Sequence, residues 1–163
     1  MNDRIPLWLR WAAFTALFPG TIAGYLPFYI AGATARWPDS LTSPRWLGVV
    51  PLLLGVAIYL STSWHFGAKG AGTPAPYDAP RELVVSGLHR LSRNPMYLGV
   101  ISCILGEAIL WRSRPVLLYL PVVWLAFHLR VLIYEEPTLR KLFGVRFDAY
   151  VATVPRWFGQ RHS

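Results

Sequence analysis

Apolar residues in this chain of 163 residues are gathered into long blocks, and the polar residues lie between them. Residues 7–33 and 46–66 are two such blocks, and a helix of about 20 residues at ~1.5 Å per residue spans a hydrocarbon core of ~30 Å. Two further blocks, residues 95–111 and 115–134, are separated by only three residues. The pattern predicts an all-α, polytopic membrane protein with about four transmembrane helices, of which the last two form a tight hairpin.

The composition supports a membrane protein and excludes several other classes. Hydrophobic residues make up 54% of the chain and charged residues only 15%, against the roughly 25% charged residues of a soluble domain. The aromatic content excludes disorder, and the single cysteine, Cys103, excludes a disulfide-bonded scaffold. Despite the net charge of +8, the basic residues are scattered singly or in pairs, so no nucleic-acid partner is expected. Residues 1–163 are interpreted as a single domain, with membrane lipids as partners and no metal ion.

The distribution of lysine and arginine predicts the orientation in the membrane. With four spans, residues 1–10, residues 67–94 and the tail from residue 135 lie on one side and carry 11 basic residues. The other side carries 4, which are Arg36, Arg45, Arg112 and Arg114. Because cytoplasmic loops carry an excess of lysine and arginine, both termini and the loop 67–94 are predicted to be cytoplasmic.

Polar side chains are concentrated in two segments on this predicted cytoplasmic side. One precedes the third span, where Pro95 suits the first turn of a helix and Asn94 is a natural N-cap. The other is the end of the fourth span, which reads Arg130 to Glu136. Because the two spans form a hairpin, both segments must lie at the same depth, side by side. The polar residues brought to one mouth are then Arg93, Asn94, Tyr97, Arg130, Glu135 and Glu136, together with His89.

The residues after the fourth span predict an amphipathic helix on the cytoplasmic side. It lies on the membrane surface or folds over a cavity, and its apolar positions are Leu139, Leu142, Phe143 and Phe147.

Several of the charged residues also have simpler interpretations. Arg93 alone could anchor the chain at the interface, and Glu136 could pair with Arg140 at i,i+4. Glu107 is expected to reach the far interface beside Arg112 and Arg114, with no catalytic role.

Motifs in both segments follow one another in a fixed order. Leu83 to His89 is followed by Arg93 to Gly99, and Tyr134 to Leu139 is followed by Phe143-Gly144, Tyr150 and Val154-Pro155-Arg156-Trp157. Over residues 68–158 these motifs resemble the isoprenylcysteine carboxyl methyltransferase family and the related membrane phospholipid methyltransferases. The chain departs from the family pattern at Asn94, Phe147 and His89, where many members carry His, Tyr and Tyr.

The resemblance implies transfer of a methyl group from S-adenosyl-L-methionine to a lipophilic small molecule or lipid. The methylated group could be a carboxylate, an amine or a thiol. Two arginines would hold a carboxylate, and Glu136 or His89 would serve as base for an amine or thiol. The expected catalytic residues are Arg93, Arg130 and Glu136, and the expected cofactor-binding residues are Leu83, Val84, His89, Asn94, Tyr97 and Glu135. The cofactor site would be built from segments 67–97 and 130–158, without a Rossmann domain.

An alternative function comes from the charges inside the apolar blocks. Ionisable residues within membrane spans often mark transport pathways, so Arg130 and Glu107 could belong to a small transport or assembly protein. The two residues lie near opposite ends of the predicted hairpin, which argues against a continuous pathway.

Overall fold

The computed structural model of the chain describes residues 7–68 and 82–158. Residues 69–81, the middle of the predicted cofactor segment 67–97, lie outside the described residues. The described parts contain helices and no β-strand. Their α-helices are α1 (Leu7–Leu17), α2 (Leu26–Ala31), α3 (Val49–Ala68), α4 (Pro95–Leu110), α5 (Arg114–Arg130), α6 (Glu136–Phe143) and α7 (Val145–Thr153).

Three helical stretches of the described chain are long and apolar enough to cross a membrane. They are Ala13–Ala31, Pro44–His65 and Arg114–Phe143. Helix α4 has 16 residues and is therefore only about 24 Å long, so the fourth crossing stays a prediction. Large apolar side chains are exposed along α3 and α5, among them Leu53, Leu60, Leu118 and Val122. Such continuous apolar surface is typical of helices that face lipid.

The first apolar stretch is kinked rather than straight. A π-helical turn, Thr21–Tyr25, follows Pro19-Gly20, and Ala23 within it has non-helical angles of φ −112° and ψ 21°. The hydroxyl of Tyr119 donates a hydrogen bond of 3.3 Å to the carbonyl of Ile22. This contact joins the kinked helix to α5.

Glycines bring α3 and α4 into close contact at two levels. Gly55 of α3 faces Gly99 of α4, and seven positions away Gly48, at the end of the 3-10 turn Pro44–Gly48 that leads into α3, faces Gly106 of α4. A Cβ atom at Gly55 would lie 2.5 Å from the carbonyl oxygen of Gly99, and one at Gly106 would lie 2.6 Å from that of Gly48. Small residues of this kind allow the backbones of membrane helices to approach closely. The contact fixes α4, which carries Tyr97, against α3.

We expect Gly55→Ala to lower the stability of the protein by about 1–3 kcal/mol, because an added methyl group would force the two backbones apart. Gly24→Ala is the matched control, since a Cβ there meets nothing within 4 Å. Thermal unfolding in detergent compares the two variants. Equal losses of stability in both would contradict the packing argument.

A tight turn makes α4 and α5 a hairpin. Only three residues separate Leu110 from Arg114, and Arg112 takes a left-handed conformation with φ 50°. The amide of Ser113 closes the turn on the carbonyl of Ala108 at 3.0 Å. The start of α4 and the end of α5 therefore lie at the same end of the bundle. The buried core between the helices consists of Ala31, Tyr59, Val100, Ile104, Ala108, Val116, Val123 and Phe127.

The helix of the fourth predicted span does not end where the sequence suggested. It continues through a π-helical turn, Val131–Glu135, into α6. The predicted amphipathic helix is divided at Gly144, whose φ of 51° ends α6 and starts α7. Leu139 and Phe143 of α6 pack against Phe147, Tyr150 and Val154, whereas Leu142 is half-exposed.

Candidate functional site

Glu136 lies between two arginines at the end of the helix bundle. Its Oε1 atom is 2.9 Å from Nη1 of Arg93 and 2.7 Å from Nε of Arg156, and its Oε2 is 2.9 Å from Nη2 of Arg156. The side chain of Arg93 is only 4% exposed and that of Glu136 14%. Arg140, the simpler candidate partner, pairs instead with Asp148 on the surface. Glu136 is therefore a fixed, charge-compensated carboxylate.

A second polar cluster consists of Tyr97, Arg130 and Glu135. The Nε atom of Arg130 donates to the hydroxyl oxygen of Tyr97 at 3.0 Å and to Oε1 of Glu135 at 2.9 Å. The hydroxyl of Tyr97 donates to the same carboxylate oxygen. The ring of Tyr97 stacks on Phe127, with the ring centroids 4.3 Å apart. Each member of the cluster is thus held by the other two.

The π-helical turn Val131–Glu135 explains why this cluster can form. Residues five apart in a regular α-helix are about 140° apart around the axis, so Arg130 and Glu135 would point in different directions. A π-turn forms i→i+5 hydrogen bonds and brings the two side chains onto one face. Glu135 then reaches Tyr97, while Glu136 reaches Arg93.

The C-terminal segment Val154–Trp157 closes the site on the side of the loop before α4. The amide of Arg93 donates to the carbonyl of Pro155 at 2.9 Å. The side-chain amide of Asn94 donates to the carbonyl of Arg156 at 2.9 Å. Asn94 occupies the predicted N-cap position of α4, but its side chain makes no capping hydrogen bond and contacts the C-terminal segment instead.

Further contacts fix the ends of the C-terminal segment. The hydroxyl of Tyr150 donates to the carbonyl of His89 at 2.7 Å. Burial raises the pKa of Tyr150 to about 12, so this phenol remains a hydrogen-bond donor at neutral pH. The indole of Trp157 donates to Nδ1 of His128 at 3.0 Å. The hydrogen bond to Glu136 raises the pKa of the Arg156 guanidinium, which keeps its charge.

Two clefts adjoin the Tyr97–Arg130–Glu135 cluster. Glu135 is part of the wall of the first, here called the polar cleft. Tyr97 and Arg130 are part of the wall of the second, here called the apolar cleft. The other residues of the polar cleft are Glu82, Leu83, Val84, His89, Arg93, Asn94, Val131, Glu136, Leu139, Phe147 and Tyr150. Those of the apolar cleft are Phe14, Phe18, Pro19, Ile22, Tyr59, Met96, Val100 and Phe127.

The nine predicted site residues divide between these clefts. Tyr97 and Arg130 line the apolar cleft. The other seven residues line the polar cleft, and they are Leu83, Val84, His89, Arg93, Asn94, Glu135 and Glu136. The sequence reasoning did not assign a role to Arg156 or Tyr150, although both lie within the quoted motifs. Glu107 lies in the last turn of α4, next to the hairpin turn that contains Arg112, and it is buried there with 9% exposure. No group of three or more His, Cys, Asp or Glu residues suited to a metal ion occurs in the described ranges.

The three helical stretches of membrane-spanning length indicate an integral membrane protein. The polar cleft and the apolar cleft indicate a binding site within it. The chain belongs to the phospholipid methyltransferase family, which it matches over residues 44–146, more than half of its length. This finding bears out the resemblance of the motifs and extends it into α3, while the C-terminal segment lies beyond the matched region. The protein is thus a membrane methyltransferase. Neither the curated proteins nor the solved structures contain a significant match to the chain.

Proposed function

We propose that the protein transfers a methyl group from S-adenosyl-L-methionine to a lipophilic acceptor. The cofactor would occupy the polar cleft, and the apolar part of the acceptor would occupy the apolar cleft. The observation that carries this proposal is that the Tyr97–Arg130–Glu135 cluster contributes to the walls of both clefts. The two reactants would meet at this cluster.

The residues of the polar cleft fit the chemical groups of the cofactor. The carboxylate of Glu135 suits the cofactor's ammonium group or its ribose hydroxyls. Leu83 and Val84 form an apolar wall suited to the adenine, and His89 and Asn94 can give hydrogen bonds. When bound, the cofactor supplies an electrophilic methyl group on a sulfonium.

The charged residues take different parts in this proposal. Arg130 lines the apolar cleft and orients the acceptor's head group. Arg93 lies behind Glu136 with 4% of its side chain exposed, so we assign it to positioning Glu136 rather than to contact with the acceptor. Glu136 supplies a fixed negative charge in the polar cleft, and both of its oxygens are engaged by arginines.

The apolar cleft favours a lipophilic acceptor. Its wall is mostly aromatic and aliphatic, with Phe14, Phe18 and Ile22 from the N-terminal helix facing Phe127 of α5. An acceptor chain in this cleft would exclude water from the reacting atoms, as in-line transfer requires. A lipid or small molecule with a carboxylate, an amine or a thiol remains compatible with this arrangement.

We place both termini and the site on the cytoplasmic side, on the strength of the asymmetry in basic residues. The alternative of a transport pathway has less support. Glu107 lies near the end of α4 that adjoins the hairpin turn, whereas Arg130 lies at the other end of α5 and is neutralised by Glu135.

A calorimetric titration of the detergent-purified protein with S-adenosylmethionine tests the proposed function. We expect saturable binding that Asn94→Ala and Glu135→Ala weaken by about 5- to 150-fold, equivalent to ~1–3 kcal/mol for a lost buried hydrogen bond. Glu107→Gln is the control and should bind normally. The absence of saturable binding would refute the proposal. Loss of binding in Glu107→Gln but not in Glu135→Ala would place the pocket at the opposite end of the hairpin.

A further inference from the structure

The loop before α4 forms part of the wall of the polar cleft. Leu83, Val84 and His89 of this loop line the cleft, and the 3-10 turn Gly87–Arg90 lies within the same stretch. In the proposed function these residues contact the cofactor. The position of the loop therefore affects how well the cleft fits the cofactor, and the contacts that fix the loop contribute to binding.

Contacts with α7 hold the two ends of this loop. The hydroxyl of Tyr150 donates to the carbonyl of His89 at 2.7 Å. Leu83 packs against the buried cluster that contains Phe147 and Tyr150. These contacts fix the ends of the stretch 83–89, whereas its middle is supported from another helix.

His65, near the end of α3, supports the middle of the loop. Gly87 has a φ of 61°, a left-handed conformation that favours glycine. A Cβ atom at Gly87 would lie 2.9 Å from Nε2 of the His65 imidazole, 3.1 Å from its Cε1 and 3.2 Å from its Cδ2. The loop backbone thus lies directly against the ring, and a side chain at position 87 would have to displace one of the two.

The imidazole of His65 is itself fixed. Its Nδ1 atom lies 2.8 Å from the carbonyl oxygen of Ser61, one turn earlier in α3. A carbonyl oxygen can only accept a hydrogen bond, so Nδ1 carries the hydrogen. Helix α3 is in turn held against α4 by the contact of Gly55 with Gly99. A continuous set of contacts therefore leads from the helix bundle through His65 to the loop.

We infer that His65 is a positioning residue for cofactor binding, and that it acts through Gly87 on the wall of the polar cleft. The inference rests on the proposed function and concerns the same site. Among the described residues that line the two clefts, His65 does not occur, so its part is not a contact with either reactant. Its ring sets the position of Leu83 and Val84 relative to the helix bundle.

Exchange of Gly87 for alanine tests the contact. We expect Gly87→Ala to weaken S-adenosylmethionine binding by about 5- to 150-fold in a calorimetric titration of the detergent-purified protein, because the added methyl group displaces the loop from the ring. Gly32→Ala is the matched control. Gly32 also has a positive φ, of 51°, but a Cβ atom there meets nothing within 4 Å. This variant carries similar backbone strain without the steric overlap and should bind normally.

Removal of the ring distinguishes this contact from a general defect of the loop. His65→Ala removes the atoms that the new methyl group would meet. In the His65→Ala background, Gly87→Ala should therefore lower the affinity by about threefold at most, whereas residues that do not interact contribute additively. The same loss of affinity in both backgrounds would overturn the inference.

The dependence of the rate on cofactor concentration separates positioning from loss of folded protein. Membranes that contain each variant are incubated with S-adenosylmethionine labelled with tritium in its methyl group, and the label in the lipid extract is measured. We expect Gly87→Ala and His65→Ala to raise the KM for S-adenosylmethionine and to keep most of the rate at saturating cofactor. His65→Ala introduces no steric overlap, so it remains a test if Gly87→Ala does not fold.

Two negative results have different meanings. An unchanged KM and an unchanged affinity in His65→Ala would overturn the role of His65 while leaving the methyltransferase activity established. If the wild type neither binds the cofactor nor incorporates label, the proposed function itself fails, and the role of His65 in cofactor binding fails with it.

Discussion

Glu136→Gln is expected to destabilise the folded protein by about 3–5 kcal/mol, because it leaves two arginines facing an uncharged amide. Arg93 is 4% exposed and cannot turn to water. Arg156 is more accessible, with 29% of its side chain exposed, so it can recover part of its hydration. The larger share of the loss therefore arises from Arg93. Because the same carboxylate fixes the wall of the polar cleft, cofactor binding should be lost together with stability.

Equilibrium unfolding by SDS titration in mixed micelles measures this loss. Asp148→Asn is the matched control, since it breaks an ion pair of similar length, 2.8 Å, whose side chains are 53% and 54% exposed. Exposed pairs of this kind are worth about 0.2–1 kcal/mol. A loss in Glu136→Gln no larger than that in Asp148→Asn would show that the buried cluster contributes little to the fold.

The juxtaposition of the two polar segments was predictable because it depends on chain connectivity. Three residues between α4 and α5 force the start of one helix to lie beside the end of the other. This single constraint places Arg93 near Glu136 and Tyr97 near Glu135. The motifs that resemble the methyltransferase family fall on these positions, and the family match confirms that resemblance.

The division of these residues between two clefts was not predictable from a regular helical pattern. The π-helical turn Val131–Glu135 changes the angular positions of Glu135 and Glu136, and hydrophobic periodicity does not reveal a single inserted residue. The role of Arg156 depends on a return of the chain over 20 residues to Glu136, which local patterns do not encode. The side chain of Asn94 follows the same long-range contact instead of capping α4.

The packing of α3 on α4 had a signal in the sequence that hydropathy alone does not register. Gly48 and Gly55 are seven residues apart, and so are Gly99 and Gly106. A spacing of seven places both glycines of each helix on one face, which permits close backbone contact in a membrane. This contact sets the depth at which Tyr97 enters the site.

Arg130→Lys is expected to separate binding from chemistry. Arg130 lines the apolar cleft and bridges Tyr97 and Glu135 with a single nitrogen. Lysine keeps the positive charge but loses the planar group that holds several oxygens in fixed directions. Turnover should therefore fall by ~10²-fold or more, as expected when reacting groups are misplaced. The affinity for S-adenosylmethionine should stay within a few-fold, because the polar cleft keeps its carboxylates.

Arg93→Lys provides the comparison that makes this prediction sharp. It is the same exchange of arginine for lysine, but Arg93 contacts Glu136 from within the wall of the polar cleft. We therefore expect two quantities to fall together in this variant. They are the affinity for S-adenosylmethionine, measured by calorimetry, and the turnover, measured as methyl transfer at saturating acceptor. If Arg130→Lys instead loses cofactor affinity in parallel with rate, Arg130 holds the cofactor's own carboxylate. The acceptor would then have to be oriented by the apolar cleft and by Tyr97, without a charged partner.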